Sequence, residues 1–200
     1  MRTLMPTIRL LLVLGVMVSV ASVATAQDSA SEGARATQNV GMTLSVPLPE
    51  GWTQEPHATD VKLVDGATSG SPLPTTLNLR LLRLYDRDAV DSTYDELRGQ
   101  GSEMVRNLSE RLSQVGRVLT TQILPADPAR PEILCAVELR VELDDNGTPV
   151  VLVMHAMSVA GNFDSAFSVV IGGVEGVDFS SMTTLALSLL DQAQLSVAGR

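Results

Sequence analysis

Two histidines, one cysteine and a run of acids are the residues of this 200-residue chain whose types could do chemistry near neutral pH. His57 and His155 are the general-base candidates, because imidazole is the ordinary side chain that titrates there. His57 lies in a polar loop after Trp52, whereas His155 sits between Val153 and Met157 in an apolar run, the setting of a buried, hydrogen-bonded imidazole. A serine nucleophile needs a strained turn of the Gly-x-Ser-x-Gly kind, and Ser69 and Ser71 lie in an ordinary loop instead. Cys135 shares the apolar register of Ile133 and Val137, where a thiol behaves as a small hydrophobe. One cysteine and two distant histidines cannot build a zinc cage. Asp86, Asp88 and Asp91 cluster as hard-cation ligands do, but Arg87 interrupts them and no glycine bends the segment. A solvated helix start, favoured by the helix dipole, accounts for the acids. Gly172-Gly173 lacks the lysine of a phosphate loop. The sequence therefore predicts no catalytic residue, no metal site and no cofactor.

What remains is recognition. The chain carries 14 basic against 23 acidic residues, a formal charge of -9, and its 13 arginines and Lys62 are scattered. No basic patch is present to release counterions from phosphates, so nucleic acid is not an expected partner. Two acidic or mixed segments are candidate partner-binding surfaces: Asp86, Asp88 and Asp95 at an expected helix start, and Glu138, Arg140 and Glu142 on the polar face of a strand. Both suit a protein partner with a complementary basic surface. A different function class also fits, a carrier holding a small apolar ligand between sheet and helix, with eight methionines as adaptable lining. A hydrolase using His57 or His155 is the third alternative. Trp52, the one tryptophan, stands at a Pro-Gly corner and is expected to plug one end of the core rather than to serve as an exposed anchor.

The elements that must position these residues begin after a leader. Residues 1–26 have a positive start with Arg2 and Arg9, an apolar stretch from Leu10 to Val23 and an Ala24-Thr25-Ala26 cleavage site, the pattern of a secretory signal. A membrane span needs about 20 apolar residues, and here polar residues follow at once. The expected product is exported, periplasmic or extracellular, with no stable membrane anchor after cleavage. Residues 27–40, rich in Ser, Ala, Gly, Thr and Gln, read as a flexible linker, and residues 41–198 as a single domain. Within the domain, short strands are expected at Met42 to Val46 and around Val61 to Leu63, and a longer one at Thr76 to Tyr85. A helix of about six turns follows, carrying Tyr94, Leu97, Met104, Val105, Leu108, Leu112 and Val115 inward. Gly99 and Gly101 weaken its start. Four strands come next: Arg117 to Leu124, Glu132 to Leu143, Val150 to Val159 and Phe163 to Ile171. Asn146-Gly147 makes a tight hairpin between the middle two. In the second of these strands Ile133, Cys135, Val137, Leu139, Val141 and Leu143 share one face. A closing helix capped by Asp178 ends near Gln194. This order predicts an α+β fold with an antiparallel meander, because hairpin-length connections exclude a parallel sheet.

VPLPEGWTQE after a short strand, LNLRLLRLY leading into a long helix, the hairpin VELRVELDDNGTPVVLVMHAM and a closing helix ending LALSLL together resemble the PsbP/Mog/DcrB-like superfamily. The resemblance covers about Met42 to Val197 and includes exported proteins of the DcrB and LpqN type. It implies an α/β/α sandwich around a twisted antiparallel sheet, with a long helix after the third strand and a C-terminal helix. It also implies members that bind other proteins and share no enzymatic residues. The chain departs from the lipoprotein members in lacking an acylated cysteine after the leader. The expected function is thus an exported, non-catalytic protein-binding or accessory module of the cell envelope.

Overall fold

The computed structural model describes residues 34–40, 42–84, 101–145, 148–161 and 165–197. The leader, residues 27–33 of the expected linker, the Asn146-Gly147 turn, and Asp86, Asp88 and Asp95 lie outside the described residues. The strands are β1 (Arg35–Val40), β2 (Met42–Pro47), β3 (Trp52–Glu55), β4 (Val61–Asp65), β5 (Thr76–Leu84), β6 (Arg117–Ile123), β7 (Ile133–Asp145), β8 (Thr148–Gly161), β9 (Ser165–Val174) and β10 (Gln194–Val197). The helices are α1 (Gly101–Leu112) and α2 (Phe179–Asp191).

Alternating Val, Leu, Ile and Ala residues suit a pleated surface covered on both faces, and they fill the three longest strands, β7, β8 and β9. These form the centre of a seven-stranded antiparallel sheet in the order β3-β4-β5-β9-β8-β7-β6. The meander β6 to β9 is as the sequence predicts. A long-range pairing joins it to the earlier strands, with Leu77 opposite Ile171 and Leu79 opposite Val169. A second sheet of three strands has the order β1-β2-β10.

The main core lies between one face of the large sheet and a layer made of α2 and the small sheet. Leu63, Leu77, Leu79, Phe167 and Ile171 meet Leu44 and Val46 from β2 and Ala186, Leu189 and Leu190 from α2. Successive residues of a strand point to opposite faces, so Met157 enters this core while its neighbour Ala156 enters the other. On that second face Val105, Leu108 and Leu112 of α1 pack over Cys135, Val137, Leu139, Val141 and Leu143 of β7.

Three expectations need correction. The molecule is mostly β, with ten strands in two sheets and two helices of 12 and 13 residues among the described residues, rather than an α/β/α sandwich; residues 91–100, the first part of the expected long helix, lie outside the described residues. The excess strands are short or polar, and their pairing, not their composition, makes them strands. The linker expected through Val40 becomes structure from Arg35 onward, since β1 pairs along the whole of β2. Arg35 holds it there, donating from Nε to Ser45 Oγ at 2.9 Å and from its terminal nitrogen to the Gln192 carbonyl at 3.0 Å. Finally, Ile133 and Cys135 do not share a face. A bulge between them lets Ile133 join the main core while Cys135 packs under α1.

Candidate functional site: a charge row under the start of the last helix

Counting back along the β7–β8 hairpin from its turn sets Glu138 opposite His155 and Arg140 opposite Val153. Glu138 Oε2 lies 2.8 Å from His155 Nε2, and its Oε1 accepts from Arg140 Nε at 2.9 Å. Arg140 donates onward to Glu175 Oε1 at 2.8 Å. Glu142, two residues along the same face, pairs with Arg117 of β6. Along β7 and onto β6 the signs alternate through Glu138, Arg140, Glu142 and Arg117, and Glu175 joins Arg140 from the turn after β9. Two adjacent residues on one strand face would otherwise have little to stop them reorienting, but strand backbones fix their origins and each carboxylate holds a guanidinium in place.

The end of the row is pinned by α2. Asp178 caps that helix, its carboxylate accepting from the backbone N–H groups of Ser180 and Ser181 and, at 2.6 Å, from the Ser181 hydroxyl. Those hydrogen bonds hold the Asp178 carboxyl below its ordinary pKa. The cap starts the helix at Phe179, whose ring stacks on His155 with centroids 4.2 Å apart. Arg130 reaches from the β6–β7 connection to the Thr184 hydroxyl at 2.8 Å.

Burial opposes the charge on Glu138, whose side chain is 14 % exposed. The hydrogen bonds from Arg140 and His155, with the charge of Arg140, more than offset this and hold the carboxyl below the ordinary glutamate value. Arg140, 37 % exposed, is held the more firmly cationic by its hydrogen bond to Glu138.

A second cluster surrounds the other histidine. His57 Nδ1 accepts from the Asp60 backbone N–H at 3.2 Å, so Nε2 carries the ring proton, and that nitrogen is buried without a hydrogen-bond partner. Asp60 is buried too and takes hydrogen bonds from the Thr59 hydroxyl and from Arg80 Nε. Burial lowers the His57 pKa, and Arg80 and Lys62 add to this against the pull of Asp60. Cys135 is buried, which pushes its thiol up. Among the described residues no group of three or more His, Cys, Asp or Glu side chains is placed to hold a metal ion.

Of the residues singled out from the sequence, Glu138, Arg140 and Glu142 are brought together, all half-buried and all ion-paired. Trp52 stands at the margin of the main core, half-buried, after Gly51 turns the chain with a φ of 77°. His155 is hydrogen-bonded as expected. The sequence reading missed Arg117, Glu175 and Phe179 as parts of the row, and Asp60 and Arg80 as partners around His57. The Glu138–His155 contact was legible, since a two-residue Asn-Gly turn dictates it by register. Glu175 and Phe179 carry no such signal.

The chemical content of the row is an imidazole and a guanidinium, His155 and Arg140, held by the two oxygens of one carboxylate, with a second carboxylate–guanidinium pair beyond. The partners around the two histidines are carboxylates, backbone amides and an aromatic ring. Such an arrangement displays fixed charges of both signs.

No family model matches the chain, and no curated protein matches it. Ten chains of solved structures match. One is the crystal structure of LpqN, described as involved in cell envelope biogenesis of Mycobacterium tuberculosis, with 13 % identity over 78 % of this chain and 84 % of that one, at a TM-score of 0.36. At that score and identity the likeness decides neither the fold nor the activity. Among the described residues no helix is long and apolar enough to cross a membrane.

Proposed function

We propose that this chain is an exported, non-catalytic accessory module of the cell envelope that works by binding another protein. The observation that carries the reading is the charge row: Glu138, Arg140, Glu142 and Arg117 stand on strands and Glu175 on the turn after β9, ion-paired with one another and in part open to solvent. Charges held in place before contact favour recognition, because a partner of complementary pattern need not order them. The leader-like first 26 residues support export, and the element order that resembles the PsbP/Mog/DcrB-like superfamily supports a binding role. Asp86, Asp88 and Asp95 belong to the same proposal as a second acidic contact.

The test is salt-dependent capture of a basic protein from envelope extract by the purified chain. Arg140→Glu combined with Glu142→Arg scrambles the row and should reduce capture about tenfold, since exposed interface charges act largely through the association rate. Reversal of Asp86, Asp88 and Asp95 should reduce it further, and His57→Gln should leave it unchanged at neutral pH. Capture that ignores both salt and the row variants refutes the reading. So does a turnover abolished by His155→Gln.

A further inference from the structure

A sheet of seven strands has two edges, and the two are treated differently here. At the β3 edge the Gln54 side chain accepts from the Thr37 backbone N–H at 3.0 Å and donates to the Thr37 carbonyl at 2.7 Å, so β1 covers that end. Among the described residues no strand pairs with the outer side of β6. The devices that discourage edge pairing, a charge at Arg117 and a bulge between Val118 and Thr120, are confined to its first residues; from Thr120 to Ile123 it is regular, with no charged residue and no proline. Two of the three exposed large hydrophobic side chains among the described residues are on it, Leu119 at 39 % and Ile123 at 56 %.

The direction of the unpaired groups follows from the ladder. Leu124 donates its N–H to the Ala136 carbonyl at 2.8 Å, on the β7 side. Alternation then turns Gln122 and Thr120 toward β7 and sends the N–H and C=O groups of Thr121 and Ile123 outward.

These outward groups and side chains are self-complementary. We infer that β6 pairs antiparallel with β6 of a second copy of this chain, about a two-fold axis at Thr121. In that register Thr121 faces Thr121 of the other copy through a pair of backbone hydrogen bonds. Leu119, the extra residue of the bulge, comes near Ile123 of the other copy, so the two exposed apolar side chains of each edge are brought to the seam. Arg117, beyond the bulge and paired with Glu142 within its own chain, lies toward the end of the other copy's strand, where Asp127 is exposed, an opposite-charge approach repeated at both ends. No acid meets an acid along the seam, although the chain as a whole is strongly acidic. A closed, isologous contact of this kind also ends the assembly at two copies. Because α1 packs against β6 and β7, the two-fold axis brings the α1 helices of both copies to one side of the seam and adds area to what strand pairing alone would bury.

The test is sedimentation equilibrium of the purified chain over roughly a hundredfold concentration range, where a strand-edge contact of modest area gives a reversible monomer–dimer equilibrium. Leu119→Lys with Ile123→Lys should leave a monomer whose circular dichroism and melting curve match the parent. As an independent measurement, Thr121→Cys in a Cys135→Ala background should cross-link to itself with a short bis-maleimide, while Thr53→Cys at the β3 edge should not. A chain monomeric at every concentration, a dimer that survives the lysine variants, or equal cross-linking at the two edges overturns the inference. Capture of an extended foreign peptide by a monomeric chain would also overturn it, assigning the edge to another protein while leaving the charge-row reading in place.

Discussion

His57 is the residue whose environment makes the sharpest statement about pH. Its folded-state pKa lies below the ordinary value near 6.5, so folding favours the neutral ring. As pH falls through that ordinary value the unfolded chain takes up the proton first, and stability drops until folded His57 titrates as well. Thermal melts between about pH 7 and about pH 5 should show this loss, and His57→Gln should flatten it. Glu138 acts further down the scale. Its lowered folded pKa adds stability that is present above the ordinary carboxylate value and disappears as pH falls through the folded one, so Glu138→Gln should remove that later loss. Packing sets a larger scale than either. Phe167 is fully buried in the main core, and Phe167→Ala should cost about 3–5 kcal/mol in urea denaturation. Ile123→Ala on the exposed edge should stay within about 0.5 kcal/mol for the monomer.

At the scale of elements, the centre of the large sheet and its margins should differ in dynamics. β8 and β9 are paired on both sides and covered by core on both faces, whereas β6 is paired on one side and mostly exposed. Amide exchange at low protein concentration should be slowest in β8 and β9 and fastest in β6, because opening an edge strand breaks fewer contacts. Uniform protection across β6 and β8 at that concentration would contradict this ordering. Two close approaches explain glycines at element ends. A Cβ on Gly116, between α1 and β6, would stand 2.5 Å from the Glu142 carbonyl oxygen, and one on Gly161 would stand 2.2 Å from a Phe167 ring carbon. Gly116 lets α1 lie down on β7. Gly161 leaves room for the largest fully buried side chain.

Taken whole, the molecule is two faces of one sheet with unequal covers, and the sequence decided part of that. The length, the leader-like segment, the acidic balance, the antiparallel meander, the Asp178 cap and the alternation of β7 were legible, because each depends on neighbours in sequence: composition, period or a capping side chain. The hairpin register that joins Glu138 to His155 belongs with them. Tertiary structure alone decided that Arg35–Val40 is a strand and that Gln194–Val197 returns to pair with β2. It likewise decided that β5 finds β9 some ninety residues away, as Leu77 opposite Ile171 shows. β1 and β10 are short or polar, and what makes them strands is backbone hydrogen bonding to a partner fixed elsewhere in the chain, while β5 and β9 read as strands locally but find each other only in the fold. The same holds for the face switch at Leu134, where one extra residue in a bulge moves Ile133 and Cys135 to opposite cores. It holds too for the charge row, since Glu175 and Phe179 reach Arg140 and His155 only once α2 has docked. Local pattern fixes which side of a strand is apolar; long-range pairing fixes what that side meets.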